Sequence, residues 1–415
     1  MIRARSTRLF GGGVAAVSLL GLVLFPTSSS ALEIGPESDL CAAIRELPAG
    51  EELVLRPGDY RGGCRVRRGG QPGHPAVIRS ADPDQRARVV YPGRPANLLE
   101  IHTSDVMIRD LDFWAAYGES DGIRIMAGDR ITVENCHFSQ LGGIAIASTH
   151  ANVKGLTVRG NTILDSRSTG MYFGCHNGTT CAVTGLVVEG NYIRSVTAAP
   201  EEVGYGLEVK LNSAGVIRDN RIVDTKGPGI MVYGSRDIVQ VSVVERNFVS
   251  GSRTSSGIVL GGGPAIVRNN ISGWNLEAGI GLEDYQKRGL LRGISVVHNT
   301  VYNNVQGGIT APETGLLLAT IVNNAAAVRS GTPAMPRARA GLQLAGNIDC
   351  TWAACFVNPE GLDFSPAPGS LLQGLGAIRG QETVADDFFG HKRGTPATLG
   401  AIERPSPAVR LGPLP

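Results

Sequence analysis

From Gly122 to Asn324 two short marks alternate without a break, and that regularity leaves few folds open to the chain. One mark is a Gly followed by an apolar residue, any residue and a second, mostly apolar one. It occurs as Gly122-Ile-Arg-Ile, Gly143-Ile-Ala-Ile, Gly170-Met-Tyr-Phe, Gly206-Leu-Glu-Val, Gly229-Ile-Met-Val, Gly257-Ile-Val-Leu, Gly279-Ile-Gly-Leu and Gly308-Ile-Thr-Ala. The other is an Asn closing a β-rich run, at Asn135, Asn161, Asn191, Asn220, Asn247, Asn270, Asn299 and Asn324, with successive copies 23 to 30 residues apart. A period of that size marks a solenoid. The segments between marks, such as Ile131-Thr-Val-Glu, Leu186-Val-Val-Glu and Val241-Ser-Val-Val, are short, β-branched and alternating, so each is a strand of about five residues. Leucine-rich repeats share the period, but their Leu-x-x-Leu-x-Leu pattern is missing.

Strands that recur once per coil stack in parallel about 4.8 Å apart, and like positions then form columns along the axis. A column of Asn can hydrogen-bond to its own kind above and below, while Gly at the other corner is expected to take backbone angles that other residues resist. With these marks the chain resembles the pectate-lyase-like superfamily over roughly residues 97–330. The resemblance implies an all-β fold: a single right-handed parallel β-helix (solenoid) with an N-terminal helical cap and a C-terminal irregular tail. The expected division is a signal peptide over 1–31, a cap and first irregular coils over 32–96, β-helix repeats over 97–330, and a final coil, cap and tail over 331–415. An uncovered solenoid end exposes strand edges, so the amphipathic stretch Asp39 to Glu46 is expected as a helix over the first coil.

Arg3, Arg5 and Arg8 precede an apolar run from Val14 to Phe25, and Ser29-Ser-Ala31 follows with small residues, the order of a secretory leader. The run is shorter than the ~20 residues that span a bilayer, so no stable membrane insertion is expected after cleavage, and the product is secreted, periplasmic or on the cell surface. Lys and Arg (39) nearly cancel Asp and Glu (37), which argues against a nucleic-acid partner. The sequence is read as a monomer. Seven Cys suit an exported protein with three disulfides, Cys41–Cys64, Cys175–Cys181 and Cys350–Cys355, leaving Cys136 buried beside Asn135.

The Gly marks set a register from which outward residues follow. In a strand opening on Gly, positions plus one and plus three face the core, and plus two and plus four face out. The plus-two column reads Arg124, Ala145, Tyr172, Glu208, Met231, Val259, Gly281, Thr310, and the plus-four column Met126, Ala147, Gly174, Lys210, Tyr233, Gly261, Glu283, Pro312. Glu208, Lys210, Tyr172 and Tyr233 should therefore lie within a few ångströms of one another. Two loops could wall this face: the segment between Asn191 and Gly206, and Asp284-Tyr285-Gln-Lys-Arg288. His150 and His176 could reach it from loops.

Such a cluster suits a uronate-containing polysaccharide as substrate. β-Elimination needs a group to neutralise the carboxylate, a base for the proton beside it and an acid for the leaving oxygen. Lys210 is the expected base and Tyr233 the acid. Arg124, Arg236 or a Ca²⁺ held by Glu208 with Glu283 or Asp284 would neutralise the carboxylate, with Tyr172 and Tyr285 as further substrate contacts. The order Glu208, Lys210, Asn220, Gly234 resembles the chondroitinase B and alginate lyase family, which implies Ca²⁺-holding Glu residues before a Lys base. Val232-Tyr233 stands where that family has Arg-His. A glycoside hydrolase, a uronate epimerase and a non-catalytic glycan-binding or surface β-helix are the alternatives; the hydrolase needs two carboxylates about 5 to 9.5 Å apart, for which Glu208 and Glu283 are the suggestive pair.

Overall fold

A computed structural model describes residues 31–177, 180–236, 240–315, 317–373 and 384–413. Apart from Ala31, the expected leader lies outside the described residues. The chain winds into a parallel β-helix whose coils supply strands to three sheets of 13, ten and 12 strands, here called the flank, front and back sheets. The flank sheet starts at Ala31–Ile34 and ends at Leu342–Ala345, the front sheet runs from Cys64–Val66 to Gly307–Thr310, and the back sheet from Gly58–Arg61 to Ile348–Asp349. Inward residues stack on their counterparts one coil away, as Ile131 and Val133 do on Leu156 and Val158, and these columns form one apolar core along the axis.

The repeat extends further than the marks imply. Ala76–Ser80 and Ala87–Val90, expected as irregular coils, are regular strands paired on both sides, and a further coil follows residue 330. Before strong Gly and Asn marks appear, the coils are held by the same parallel strand pairing and inward packing. At the N-terminal end, Asp39 caps helix Leu40–Glu46 by accepting the Ala42 N–H at 3.1 Å, and the helix buries Leu40 and Ile44 over the first coil. The Cys41–Cys64 disulfide fixes it there, and Cys175–Cys181 and Cys350–Cys355 also form as read. Among the described residues no helix is long and apolar enough to cross a membrane.

The Asn column is real, with two changes: Asn347 extends it and Asn135 drops out. Asn161, Asn191, Asn220, Asn247, Asn270, Asn299, Asn324 and the half-buried Asn347 form a ladder in which each amide oxygen beyond that of Asn161 accepts from the backbone N–H and the side-chain amide of the Asn one coil earlier. The bonds from Asn220 to Asn247 measure 3.0 and 2.9 Å. Asn135 is not part of it. Cys136 occupies the ladder position, donating its N–H to Asn161, and Asn135 sits one residue earlier at a left-handed corner with φ 49°. Burial pushes the Cys136 thiol up to about 12, so it is an inert occupant.

The Gly marks also act differently from expectation, because none of the eight has a positive φ. Gly206 shows the reason: a Cβ there would stand 2.6 Å from the Gly229 carbonyl oxygen of the next coil. These corners need Gly for close stacking rather than for unusual backbone angles.

Outside the core, the flank sheet carries a column reading Arg109, Glu134, Arg159, Glu189, Arg218, Glu245, Arg268, then Val297, Val322 and Ala345. Alternating charges pair at 2.7 Å for Arg159 with Glu134, and 2.6 Å for Arg218 with Glu189 and for Arg268 with Glu245. The column turns apolar where Val384 of the tail covers it. Because the Arg159 pair is largely exposed, Arg159→Ala is expected to cost less than about 1 kcal/mol in urea unfolding.

Candidate functional site

The outward column of the front sheet runs Arg65, Glu100, Arg124, Ala147, Tyr172, Glu208, Met231, Val259, Gly281, Thr310. This matches the plus-two reading except at the second Gly mark, where Ala147 replaces Ala145. The strand there starts at Ile146, two residues later than the Gly mark implies. Lys210 and Tyr233 follow at the strand ends on neighbouring coils, with the Lys210 N–H on the Phe173 carbonyl and the Tyr233 N–H on the Val209 carbonyl.

The structure brings Glu208, Lys210, Tyr172 and Tyr233 together. The Lys210 ammonium donates to Glu208 Oε1 at 3.0 Å and lies 4.1 Å from the Tyr233 ring centre and 5.3 Å from that of Tyr172. Tyr233 stands beside Glu208, where phenol and carboxylate act on one another electrostatically. Tyr205, from the loop before Gly206, meets Tyr233 hydroxyl to hydroxyl at 2.9 Å. Either hydroxyl can be the donor of that bond. Lys226 holds the Tyr205 loop by donating to the carbonyls of Ala199, Pro200 and Glu202.

The cluster is covered as well as assembled. Glu208, Lys210 and Tyr233 are 2, 6 and 1 % exposed. Tyr285 packs edge-on against Tyr233 at 4.7 Å and Leu290 closes over the same patch, so the segment from Tyr285 to Leu290 forms a roof. Burial raises the Glu208 carboxyl above the usual carboxylate range despite Lys210 and Tyr233. Burial, then the Glu208 charge, raises both the Tyr233 and Tyr172 phenols, and burial takes Tyr205 up to about 12. All three phenols are held protonated at neutral pH.

Other expected members fall elsewhere. Arg124 is three coils from Glu208, about 14 Å along the sheet, and is paired with Asp121. Arg236 lies exposed past the corner, its N–H on Asn212. Glu283 is also three coils away in the opposite direction, its carboxyl raised by burial and by Glu277, and Asp284 accepts the Gly289 N–H. Among the described residues no three such carboxylates, thiols or imidazoles are grouped to hold a metal ion, and three coils separate Glu208 from Glu283. Tyr205 and Arg288, expected only as parts of walling loops, join the site, as does His176, which was expected to reach this face from its loop. Arg288 lies 5.8 Å from the Tyr233 ring centre and 5.1 Å from that of Tyr285, and His176 Nδ1 is 3.1 Å from the Tyr172 hydroxyl. All three sit on non-repeating loops, where no register marks them.

Towards the N-terminal end the same face stays polar. Glu100 binds Arg65 at 2.9 Å and His102 at 3.0 Å; burial raises its carboxyl, but the bonds from His102 and Asn97 and the Arg65 charge bring it net below the usual range. Burial and then Arg124 lower the nearby His150.

A family model described as "Right handed beta helix region" matches residues 175–330, and one described as "Periplasmic copper-binding protein (NosD)" matches residues 96–237. No curated protein matches the chain. Among solved structures, pectate lyase Pel9A is similar at 15% identity, with a TM-score of 0.53 over 91% of this chain and 97% of its own. The catalytic domain of a GH87 alpha-1,3-glucanase is similar at 14% identity and TM-score 0.50, over 78% of this chain and 69% of its own. An alginate lyase from Paenibacillus sp. str. FPU-7 is similar at 14% identity and TM-score 0.42, over 76% and 97% of the two chains. At such identities the likeness is one of fold, and the chain is a right-handed parallel β-helix. Copper is held by converging imidazole, thiolate and thioether groups. In residues 96–237 the Cys136 thiol is buried in the coil, while His137 pairs with Asp112, His150 with Thr149 and His176 with Tyr172. Among the described residues these groups form no metal-binding set.

Proposed function

We propose that the chain is an exported carbohydrate-active enzyme that cuts a uronate-containing polysaccharide by β-elimination on its front sheet. The observation that carries this reading is the chain of contacts Tyr205, Tyr233, Glu208, Lys210 on the outward side of a sheet, where coil stacking requires none of these groups. Buried charges and shifted carboxyls concentrate at working sites. The folds of a pectate lyase and of an alpha-1,3-glucanase support the carbohydrate class. The disulfides and the periplasmic family model support export.

In this reading Glu208, its carboxyl made a better proton acceptor by burial, takes the proton of Lys210. The freed amine removes the hydrogen beside the uronate carboxylate. That electron pair forms the ring double bond as the bond to the leaving oxygen breaks, and Tyr233 protonates that oxygen, to be reprotonated from Tyr205. Arg288, carried on the roof beside Tyr233, neutralises the substrate carboxylate once the roof settles back over bound substrate. Substrate reaches Lys210 only after the roof from Tyr285 to Leu290 moves aside.

The burial of the cluster favours a second reading, a non-catalytic glycan-binding β-helix in which the ion pair is structural. Incubation with pectate, alginate and glycosaminoglycans separates the two by the ultraviolet absorbance of the unsaturated product. Tyr233→Phe is expected to lower kcat on the accepted polymer by about 10²- to 10⁴-fold with little change in KM. Silence on every polymer would sink the lyase reading and leave the binder.

A further inference from the structure

We propose that the disulfide-closed loop Cys350–Cys355, with Trp352 near its tip, is a binding site for a neutral sugar ring, separate from the front-sheet site. Trp352 is 79 % exposed, more than any other large hydrophobic residue among those described. An indole so placed contributes nothing to the core, yet its loop is rigidly anchored. The disulfide closes it. The Cys350 N–H donates to the Ala326 carbonyl at 2.6 Å, and the Cys355 carbonyl accepts the Ala367 N–H at 2.8 Å. A flat apolar ring is thus carried on an anchored loop, so little backbone freedom is lost when a partner stacks on it.

The same loop walls a groove of about 340 Å³, which both chain neighbours of Trp352, Thr351 and Ala353, help to line. That volume is at the lower end for small-ligand sites. Its floor is aromatic: Tyr302 and Phe356 belong to an edge-to-face cluster with Trp274 and Phe364, ring centres 5.3 to 6.3 Å apart. Its polar groups can bind hydroxyls. Tyr302 donates to Glu360 Oε1 at 2.8 Å, which leaves the second carboxylate oxygen to accept, with the Asn303 amide alongside. An apolar stacking face beside clustered acceptors and donors matches a pyranose, whose C–H face is apolar and whose edge carries hydroxyls. Glu360 is the one ionisable carboxylate lining the groove, and it repels a uronate, so the sugar is neutral. Tyr302 and Cys350 belong to or follow back-sheet strands, so this groove and the Lys210 cluster lie on different sheets and can be occupied independently.

Trp114, Trp274 and Trp352 are the only tryptophans, and the first two are partly buried, so acrylamide quenching of the full chain reports mainly on Trp352. Neutral malto-, cello- and xylo-oligosaccharides are the probes, with oligogalacturonate as the charged comparison. At least one neutral series should protect the indole saturably in the millimolar range and blue-shift its emission. Binding followed by calorimetry should survive in Trp352→Phe and weaken at least about tenfold in Trp352→Ala. The variant lacking both Glu208 and Lys210 should bind as the natural chain does, so a failed lyase reading leaves this result intact. No protection by any neutral sugar, or unchanged affinity in Trp352→Ala, overturns the site. Equal protection by oligogalacturonate overturns the neutral class.

Discussion

Replacing Glu208 with Gln and Lys210 with Met together is expected to give a chain as stable as the natural one, or more stable by roughly 1–4 kcal/mol, with no elimination activity. The two groups pair at 3.0 Å with 2 and 8 % of their side chains exposed, so their attraction must offset the loss of water around both. Removing the pair removes both terms. Lys210→Met alone is different, because it leaves a buried carboxylate without its cation and should cost about 3–5 kcal/mol. That cost depends on pH. Glu208 already titrates above its ordinary range because of burial, and without Lys210 it moves further up. A carboxyl whose folded value exceeds its unfolded one stabilises the fold at low pH and loses that contribution as pH rises, so the single variant should recover towards pH 5 and weaken towards pH 8. Urea unfolding at several pH values, run beside the product assay, reads both effects. Turnover in the double variant would exclude Lys210 as the base, and an undiminished single variant would mean the pair is hydrated.

Acid should loosen the C-terminal end of the solenoid before the carboxylates titrate. His298 is buried beside the tail; burial, then the Arg393 guanidinium, hold it down to about 3 from 6.5, with only partial relief from the Gly400 and Thr398 carbonyls. The neutral ring is therefore the folded form. Below pH 6.5 the unfolded chain takes a proton that the folded chain refuses, and stability is lost as pH falls towards the folded value. The slope is about 1.4 kcal/mol per pH unit, or roughly 2 kcal/mol between pH 6.5 and 5. His298→Gln should flatten that part of the profile. A natural chain equally stable at pH 6.5 and 5 would show that His298 is hydrated or already charged.

Much of this was legible because a solenoid repeats its own register. Each Gly mark states where a strand begins, so the outward column from Tyr172 to Thr310 could be written before any coordinates and is recovered residue for residue in the strand pairing. The same logic misplaced Asn135, because two polar residues at one corner, one in the ladder and one at the left-handed turn before it, look alike in sequence when Cys136 fills the ladder position. It also could not show the roof. A column tells which side a residue leaves by, but not what folds back over it, and Tyr285 and Leu290 reach Tyr233 from an excursion that follows no period. For the same reason Tyr205 and Arg288 were legible only as parts of walling loops, while Arg124 and Glu283 lie on the expected face, three coils to either side of Glu208.

The file of amides from Asn161 to Asn347 has a further consequence for how the molecule comes apart. Each link satisfies a backbone and a side-chain donor of its neighbour, so a central coil cannot open without orphaning groups on the coil before it, whereas the outermost coils orphan fewer. Hydrogen exchange should therefore be slowest around Asn220 to Asn270 and quicken towards both ends, as a zip loosens from its tips.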